Sequence, residues 1–291
     1  MLKCTTRSAV PWLCRLFNKV FSEGRFPSSW SNSIIVPIHK KGDPSNADNY
    51  RGICLTSIFG KVFTSIITSR LQSWAENNNL IVEEQAGFRR EYSTVDNMFI
   101  LKGIIERYLN RKKKLYTIFV DFKKAFDTVD RKALRKILEM YGMNGRMLHL
   151  LKGMYSSVWY CVKCNGICTD MFECNRGLKQ GCKSSPIIFS LLISYVAKMV
   201  IRYGKHGVQL MPDFVTIYLL MFADDVVLIS DTPVGLQNQL DVLVRELHKI
   251  GLSVNAAKTK VVVFRNGGIL AEHEKWMLRK EGLEVVNEHK L

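Results

Sequence analysis

The stretch YLLMFADDVVLIS, residues 218–230, decides the fold. Two apolar runs flank Ala223, Asp224 and Asp225. Short runs of Leu, Val and Ile on either side of a turn read as β-strands. The spacing predicts strands over 216–222 and 226–230, with two acids at the hairpin tip. Asp is a common turn residue. A surface hairpin, however, carries a polar face on at least one strand, and here both strands are apolar on both faces. The tip therefore lies beside a core or cleft. Two adjacent carboxylates there repel each other unless a cation compensates them. A metal site is the better reading of this segment.

Working outward, a matching acid stands upstream. Leu115–Val120 (LYTIFV) is a dense β-type run that ends on Asp121. Asp121, Asp224 and Asp225 together offer hard oxygen ligands. Mg²⁺ suits them, because it takes one or two carboxylates and completes its shell with water and substrate phosphates. Two such ions roughly 3.5–4 Å apart clamp the attacking and leaving oxygens of an in-line phosphoryl displacement. Asp127 and Asp130 read as a turn residue and a helix N-cap.

The charge indicates what such a site would act on. Lys and Arg number 42 against 26 Asp and Glu among 291 residues, a formal net charge of +16. That excess calls for a polyanionic partner, a nucleic acid or an acidic membrane surface. A 47% hydrophobic composition excludes intrinsic disorder, and 19 Gly with 7 Pro exclude collagen-like repeats. The most apolar stretch, 186–201, contains Lys198. It is short of the roughly 20 apolar residues of a membrane span and reads as a buried helix. Nucleotidyl transfer on a nucleic acid is the reaction that joins the acids to the charge. Cations gather at Lys40, Lys41, Arg51, Arg89, Arg90 and Arg111–Lys114.

Eight cysteines without a signal peptide at the N-terminus point to reduced thiols in an intracellular protein. Cys161, Cys164, Cys168 and Cys174 lie close in sequence, but their spacing does not suit a zinc knuckle. They are expected to be ordinary small buried residues. The run 159–163 reads as a strand entering a hairpin turn at Asn165-Gly166.

Elsewhere the periodicity predicts a strand over 33–39 and helices over 57–74, 94–109, 130–141, 185–203 and 236–250. A further strand covers 260–264. The expected apolar faces are Phe59, Val62, Phe63, Ile66, Ile67, Leu71 and Trp74 in the first helix. In the second they are Val95, Met98, Phe99, Leu101, Ile104, Ile105 and Tyr108. Hairpins mixed with helices indicate an α+β fold.

Several segments, in this order, resemble the reverse transcriptase domain of non-LTR (LINE-like) retrotransposons over roughly residues 20–290. They are Phe26-Pro27 with Trp30, IVPIHKKGD at 35–43, NYRGICLTS at 49–57 and QAGFRREYST at 85–94. FVDFKKAFDTVD at 119–130 resembles polymerase motif A and RGLKQGCKSSP at 176–186 motif B. FADD at 222–225 resembles motif C and GLSVNAAKTKVVVF at 251–264 motif D.

The resemblance implies an RNA-directed DNA polymerase that adds dNTPs to a DNA primer 3′-hydroxyl along an RNA template. Its fold would be a right-hand polymerase palm, an antiparallel sheet packed on helices, with fingers. Residues 1–113 would be an N-terminal extension and fingers, and 114–291 the palm, with 131–175 partly fingers. The catalytic acids would be Asp121, Asp224 and Asp225, and the backbone carbonyl of Phe122 a further metal ligand. Two Mg²⁺ are implied, with Mn²⁺ as a substitute. Lys40, Lys41, Arg51, Gln180 and Gly181 would contact nucleotide, Phe126 would exclude a ribose 2′-hydroxyl, and Lys258 would give a proton to pyrophosphate. No membrane partner is implied, and the expected compartment is the nucleus.

Two departures from the family pattern stand out. Lys183 and Ser184 replace the usual Pro-Leu of motif B, which should loosen the turn before the helix. The sequence also ends at Leu291, before the expected primer grip and thumb. The chain then reads as truncated and the thumb as absent. The alternative function is a catalytically inactive nucleic-acid-binding remnant.

Overall fold

A computed structural model describes residues 6–209 and 215–287. The end of the sequence at Leu291, with its expected truncation, lies outside the described residues. Helix α1 (Thr6–Glu23) and the single turn α2 (Ser28–Ser31) precede strands β1 (Ser33–His39) and β2 (Tyr50–Leu55). Helices α3 (Ile58–Asn77) and α4 (Thr94–Asn110) follow, then β3 (Leu115–Val120), α5 (Ala125–Thr128), α6 (Arg131–Met140) and α7 (Gly145–Ser156). Strands β4 (Trp159–Cys164), β5 (Ile167–Cys168) and β6 (Phe172–Glu173) lead to α8 (Ser185–Tyr203). Next come β7 (Val208–Gln209), β8 (Thr216–Ile217), β9 (Leu219–Phe222), β10 (Asp225–Ser230) and α9 (Pro233–Lys249). The last strands are β11 (Lys260–Phe264), β12 (Met277–Leu278), β13 (Glu281–Gly282) and β14 (Glu284–Val286).

The chain forms two compact units, each built from two stretches of sequence. One comprises the residues up to Trp74 with Asp130–Ser185, the other Ala75–Val129 with Pro186 onward.

In the second unit every residue of β3 is buried, because the strand is central in a five-stranded sheet ordered β14-β11-β3-β10-β9. Its neighbours β10 and β11 are both antiparallel to it. Leu115 and Phe119 of β3, with Leu220, Val227, Ile229 and Val262, pack against Leu101 and Ile104 of α4. Helix α9 buries Leu236, Leu240, Leu243 and Leu247, a stripe at i, i+4, i+7 and i+11. Burying such a side chain stabilises by about 1.5–3 kcal/mol. Helix α8 buries Ile188, Phe189, Leu191, Leu192, Ile193, Val196 and Val200 almost completely. By length and composition alone it is apolar enough to cross a membrane, but two thirds of it is buried inside the protein.

The first unit holds a sheet ordered β2-β1-β4-β5, with β6 also on β4. β1 and β2 form an antiparallel hairpin, while β1 and β4 run parallel. Phe17, Phe26, Trp30 and Phe63 cluster with ring centroids 5.4–6.2 Å apart. Asp130 caps α6, its carboxylate accepting from the amides of Lys132 and Ala133.

Three expectations change. The apolar faces of two helices are narrower than the periodicity indicates. In α3 the stripe Phe63, Ile67, Leu71 is buried, while Phe59, Val62 and Ile66 are exposed. In α4 Val95, Met98 and Phe99 face solvent. The four clustered cysteines are not uniformly buried. Cys161 is buried in β4, whereas Cys164 and Cys168 flank the Asn165-Gly166 turn and are exposed. The turn before α8 is also firmly held without its proline. The Ser185 hydroxyl donates to the Lys179 carbonyl at 2.8 Å, and the Cys182 amide donates to it at 3.1 Å. Ser184 and Ser185 are buried.

Candidate active site

The three acids belong to the second unit, at one end of its central strands. The register pairs Val226 of β10 with Val120 of β3. One step further along each strand stand Asp225 and Asp121, so antiparallel pairing brings both to the same end of the sheet. Asp225 in turn pairs with Phe222, leaving Ala223 and Asp224 as a two-residue hairpin turn. Ala223 has φ +61, a left-handed conformation that hairpin turns usually give to glycine.

Partial burial, then the charges of Asp224 and Asp121, raise the pKa of Asp225 above its ordinary value. Like charges that oppose one another's ionisation are what a cation would relieve. Among the described residues no group of three His, Cys, Asp or Glu side chains is placed to hold a metal ion by itself. The arrangement is an open end of carboxylates with no thiolate or imidazole. That donor set fits Mg²⁺ or Mn²⁺, whose coordination water and phosphate complete.

Asp121 is held by the turn before β11. Its Oδ2 accepts from the Asn255 side-chain amide at 3.0 Å, and its backbone carbonyl accepts from the Asn255 amide at 2.8 Å. Its own amide donates to Thr259 Oγ1 at 3.2 Å. Phe122 forms an isolated antiparallel bridge with Val254. The hydrogen bonds of that bridge are made by the Lys123 amide and the Asp121 carbonyl, so it does not consume the Phe122 carbonyl. Phe126 is half-buried and stacks on Phe189 of α8, with centroids 4.6 Å apart. Lys258 is exposed, and its amide donates to the Asn255 carbonyl.

The remaining candidates lie in the first unit. Lys40, Lys41 and Arg51 are exposed at the β1–β2 hairpin end, where Arg51 pairs with Ile38. Its loop is braced by Asp43, which accepts from the Ser45 amide and hydroxyl. Gln180 is half-buried. Gly181 has φ +96, and a Cβ there would stand 2.9 Å from the Cys54 carbonyl oxygen, so only glycine fits.

Sequence reasoning assigned no role to three residues that organise these segments. Asn255 fixes Asp121. Gln85, fully buried, hydrogen-bonds the Ala223 backbone. The Arg131 guanidinium donates to the carbonyls of Tyr155, Cys174, Arg176 and Gly177 at 2.7–3.1 Å, gathering the motif B approach. Each stands within or beside a quoted motif, but nothing local shows that its side chain reaches a partner far along the chain.

Lys179 is buried, donates to the Ser31 carbonyl and lies 5.5 Å from the Phe26 ring centroid. Burial pulls its pKa down to about 8. Arg89 does not join the free cations. Its guanidinium pairs with Glu76 and Glu83 and lies 4.0 Å from the Tyr92 ring centroid.

The fold is similar to that of solved telomerase structures. A telomerase from Candida albicans, solved with a telomeric RNA fragment, superposes with TM-score 0.60 at 16% identity. That match covers 85% of this chain and 45% of the other. Apo telomerase from Candida tropicalis superposes with TM-score 0.58 at 15% identity, covering 92% and 57%. Residues 38–284 match the family described as reverse transcriptase (RNA-dependent DNA polymerase), and the chain belongs to that family.

Its relatives are proteins of non-LTR retrotransposons. The Pol polyprotein of retrotransposable element R2 from Popillia japonica is 27% identical over 267 residues, 89% of this chain and 36% of that protein. The RNA-directed DNA polymerase of mobile element jockey from Drosophila melanogaster is 24% identical over 266 residues, 89% and 28%. The chain thus spans about a third of the length of these relatives.

Proposed function

We propose that this chain is the polymerase module of a non-LTR retrotransposon reverse transcriptase. It copies an RNA template by adding dNTPs to a DNA primer 3′-hydroxyl, and it works in the nucleus. The observation that carries this reading is the register bringing Asp121 level with Asp225, with Asp224 in the intervening turn.

On this reading the second unit supplies the palm, and the β1–β2 hairpin of the first belongs to the fingers. Asp121, Asp224, Asp225 and the Phe122 carbonyl would hold two Mg²⁺. Those ions, when bound, neutralise charge on the triphosphate and on the attacking and leaving oxygens. Asn255 keeps the Asp121 carboxylate aimed by occupying one oxygen. The Arg51 fork grips triphosphate oxygens, with Lys40 and Lys41 adding charge. Gln180 and Gly181 let the incoming nucleotide approach the backbone. Phe126, braced by Phe189, fills the space that a ribose 2′-hydroxyl needs. Lys258 is exposed and gives a proton to departing pyrophosphate.

The test is primer extension on an RNA template with dNTPs. The wild-type chain should extend the primer in Mg²⁺ or Mn²⁺, and Asp224→Ala should abolish extension. Equal extension by that variant would refute the assignment.

A further inference from the structure

We propose that Gln85 is the positioning residue of the acidic hairpin turn, locking the left-handed backbone at Ala223 that aims Asp224 and Asp225. The proposal rests on the reading that these aspartates hold divalent metal. Gln85 is fully buried and lies 138 residues from the turn. Its Oε1 accepts from the Ala223 amide at 3.0 Å and from the Gly87 amide at 2.8 Å, while its Nε2 donates to the Ala223 carbonyl at 3.2 Å. One neutral carboxamide therefore satisfies both backbone groups of Ala223.

The surroundings are built for this contact. Gln85 and Met221 form a parallel bridge, with Ala86 N–H to Met221 O at 2.9 Å and Met221 N–H to Glu84 O at 2.8 Å. Asn97 adds a side-chain bond to the Met221 carbonyl. A Cβ on Gly87 would stand 2.1 Å from the Ala223 nitrogen, so the segment can approach only because residue 87 is glycine.

The φ of +61 at Ala223 is one that a residue with a Cβ adopts at a cost. In a two-residue turn, the conformation of the first residue sets the direction of the second and of the strand start, here Asp224 and Asp225. Without the carboxamide, Ala223 would hold two orphaned backbone groups and an unfavoured φ. The turn would relax and carry both acids with it. A neutral side chain also avoids adding charge beside Asp224 and Asp225, which a glutamate would do.

The experiment titrates Mn²⁺ into the metal-free full chain by electron paramagnetic resonance, with thermal melting in parallel. Asp224→Ala is run first. If the wild-type chain shows no Mn²⁺ binding that this variant removes, the metal reading fails, and the proposal with it. Given that binding, Gln85→Met should weaken Mn²⁺ affinity by about tenfold or more, as loss of an outer-shell partner does. Adding Ala223→Gly, which supplies a residue free to take the left-handed turn, should recover a large part of that loss. Should Gln85→Met not fold, Gln85→Asn, one methylene too short, is read the same way. A lower melting temperature with unchanged Mn²⁺ affinity would make Gln85 merely structural and overturn the proposal. So would a loss that Ala223→Gly leaves untouched.

Discussion

Glu274→Gln should destabilise this protein strongly at neutral pH and hardly at all in acid. Glu274 is buried, its side chain only 2% exposed. It accepts from Lys114 Nζ at 2.7 and 2.9 Å, from the Tyr116 hydroxyl at 2.6 Å and from the Ala271 amide at 2.7 Å. Burial alone would raise its pKa. The hydrogen bonds from Lys114, Tyr116 and Ala271, with the Lys114 charge, outweigh burial and draw the pKa from 4.5 to about 2. Glutamine keeps the shape and removes the charge. The interval from 4.5 down to 2 is worth about 3 kcal/mol, at about 1.4 kcal/mol per pH unit. Because the folded pKa is the lower one, this stability is complete above about pH 4.5. It is lost as the pH falls toward 2. Urea unfolding at pH 7, 5, 4 and 3 measures it. The variant should be less stable by about 3 kcal/mol at pH 7, with the difference shrinking below pH 4.5. A difference that is absent at pH 7, or constant across the series, would refute the reasoning.

Arg131→Lys leaves at least one of four gathered carbonyls without its donor, since an ammonium carries three N–H groups. It should cost about 1.5–3 kcal/mol in urea unfolding, the worth of one bond to a charged donor. A loss below about 0.5 kcal/mol would show that water replaces the guanidinium freely. Phe126→Val should raise the kcat/KM ratio of ribonucleotides to deoxynucleotides by about tenfold, some 1.4 kcal/mol. An unchanged ratio would return Phe126 to being a packing partner of Phe189.

Density of apolar residues made the second unit's sheet legible in the sequence. Leu115–Val120 and Lys260–Phe264 match the predicted strands to the residue, because each is a dense β-type run ended by a polar change. The acids stood out because they interrupt such runs. The hairpin's first strand was read as continuous over 216–222, yet it breaks at Tyr218, since β8 pairs with β7 and β9 with β10. Nothing local revealed that β1 would lie parallel to β4. Helix α1, with Pro11 inside it, and α7 are not among the predicted helices, although both are amphipathic. Lys114 stands in a basic run that shows no sign of a buried partner, but it reaches Glu274, 160 residues further along. Gln85 and Asn255 leave no trace in periodicity, because their partners are backbone groups or one distant side chain.

The interleaved layout has a consequence for the chain during its synthesis. Strand β1 leaves the ribosome with only its hairpin partner β2. Its other neighbour is Tyr160–Val162 of β4. At about 5–20 residues per second, that neighbour arrives roughly 6–25 s later. Over that interval one edge of β1, carrying Ile34 and Ile35, stands unpaired beside a nascent chain still being extended. A chaperone that shields β-edges would meet its substrate in this window. The sheet of the second unit comes later still, because β3 must wait for β10 and β11 before it has a neighbour on either side.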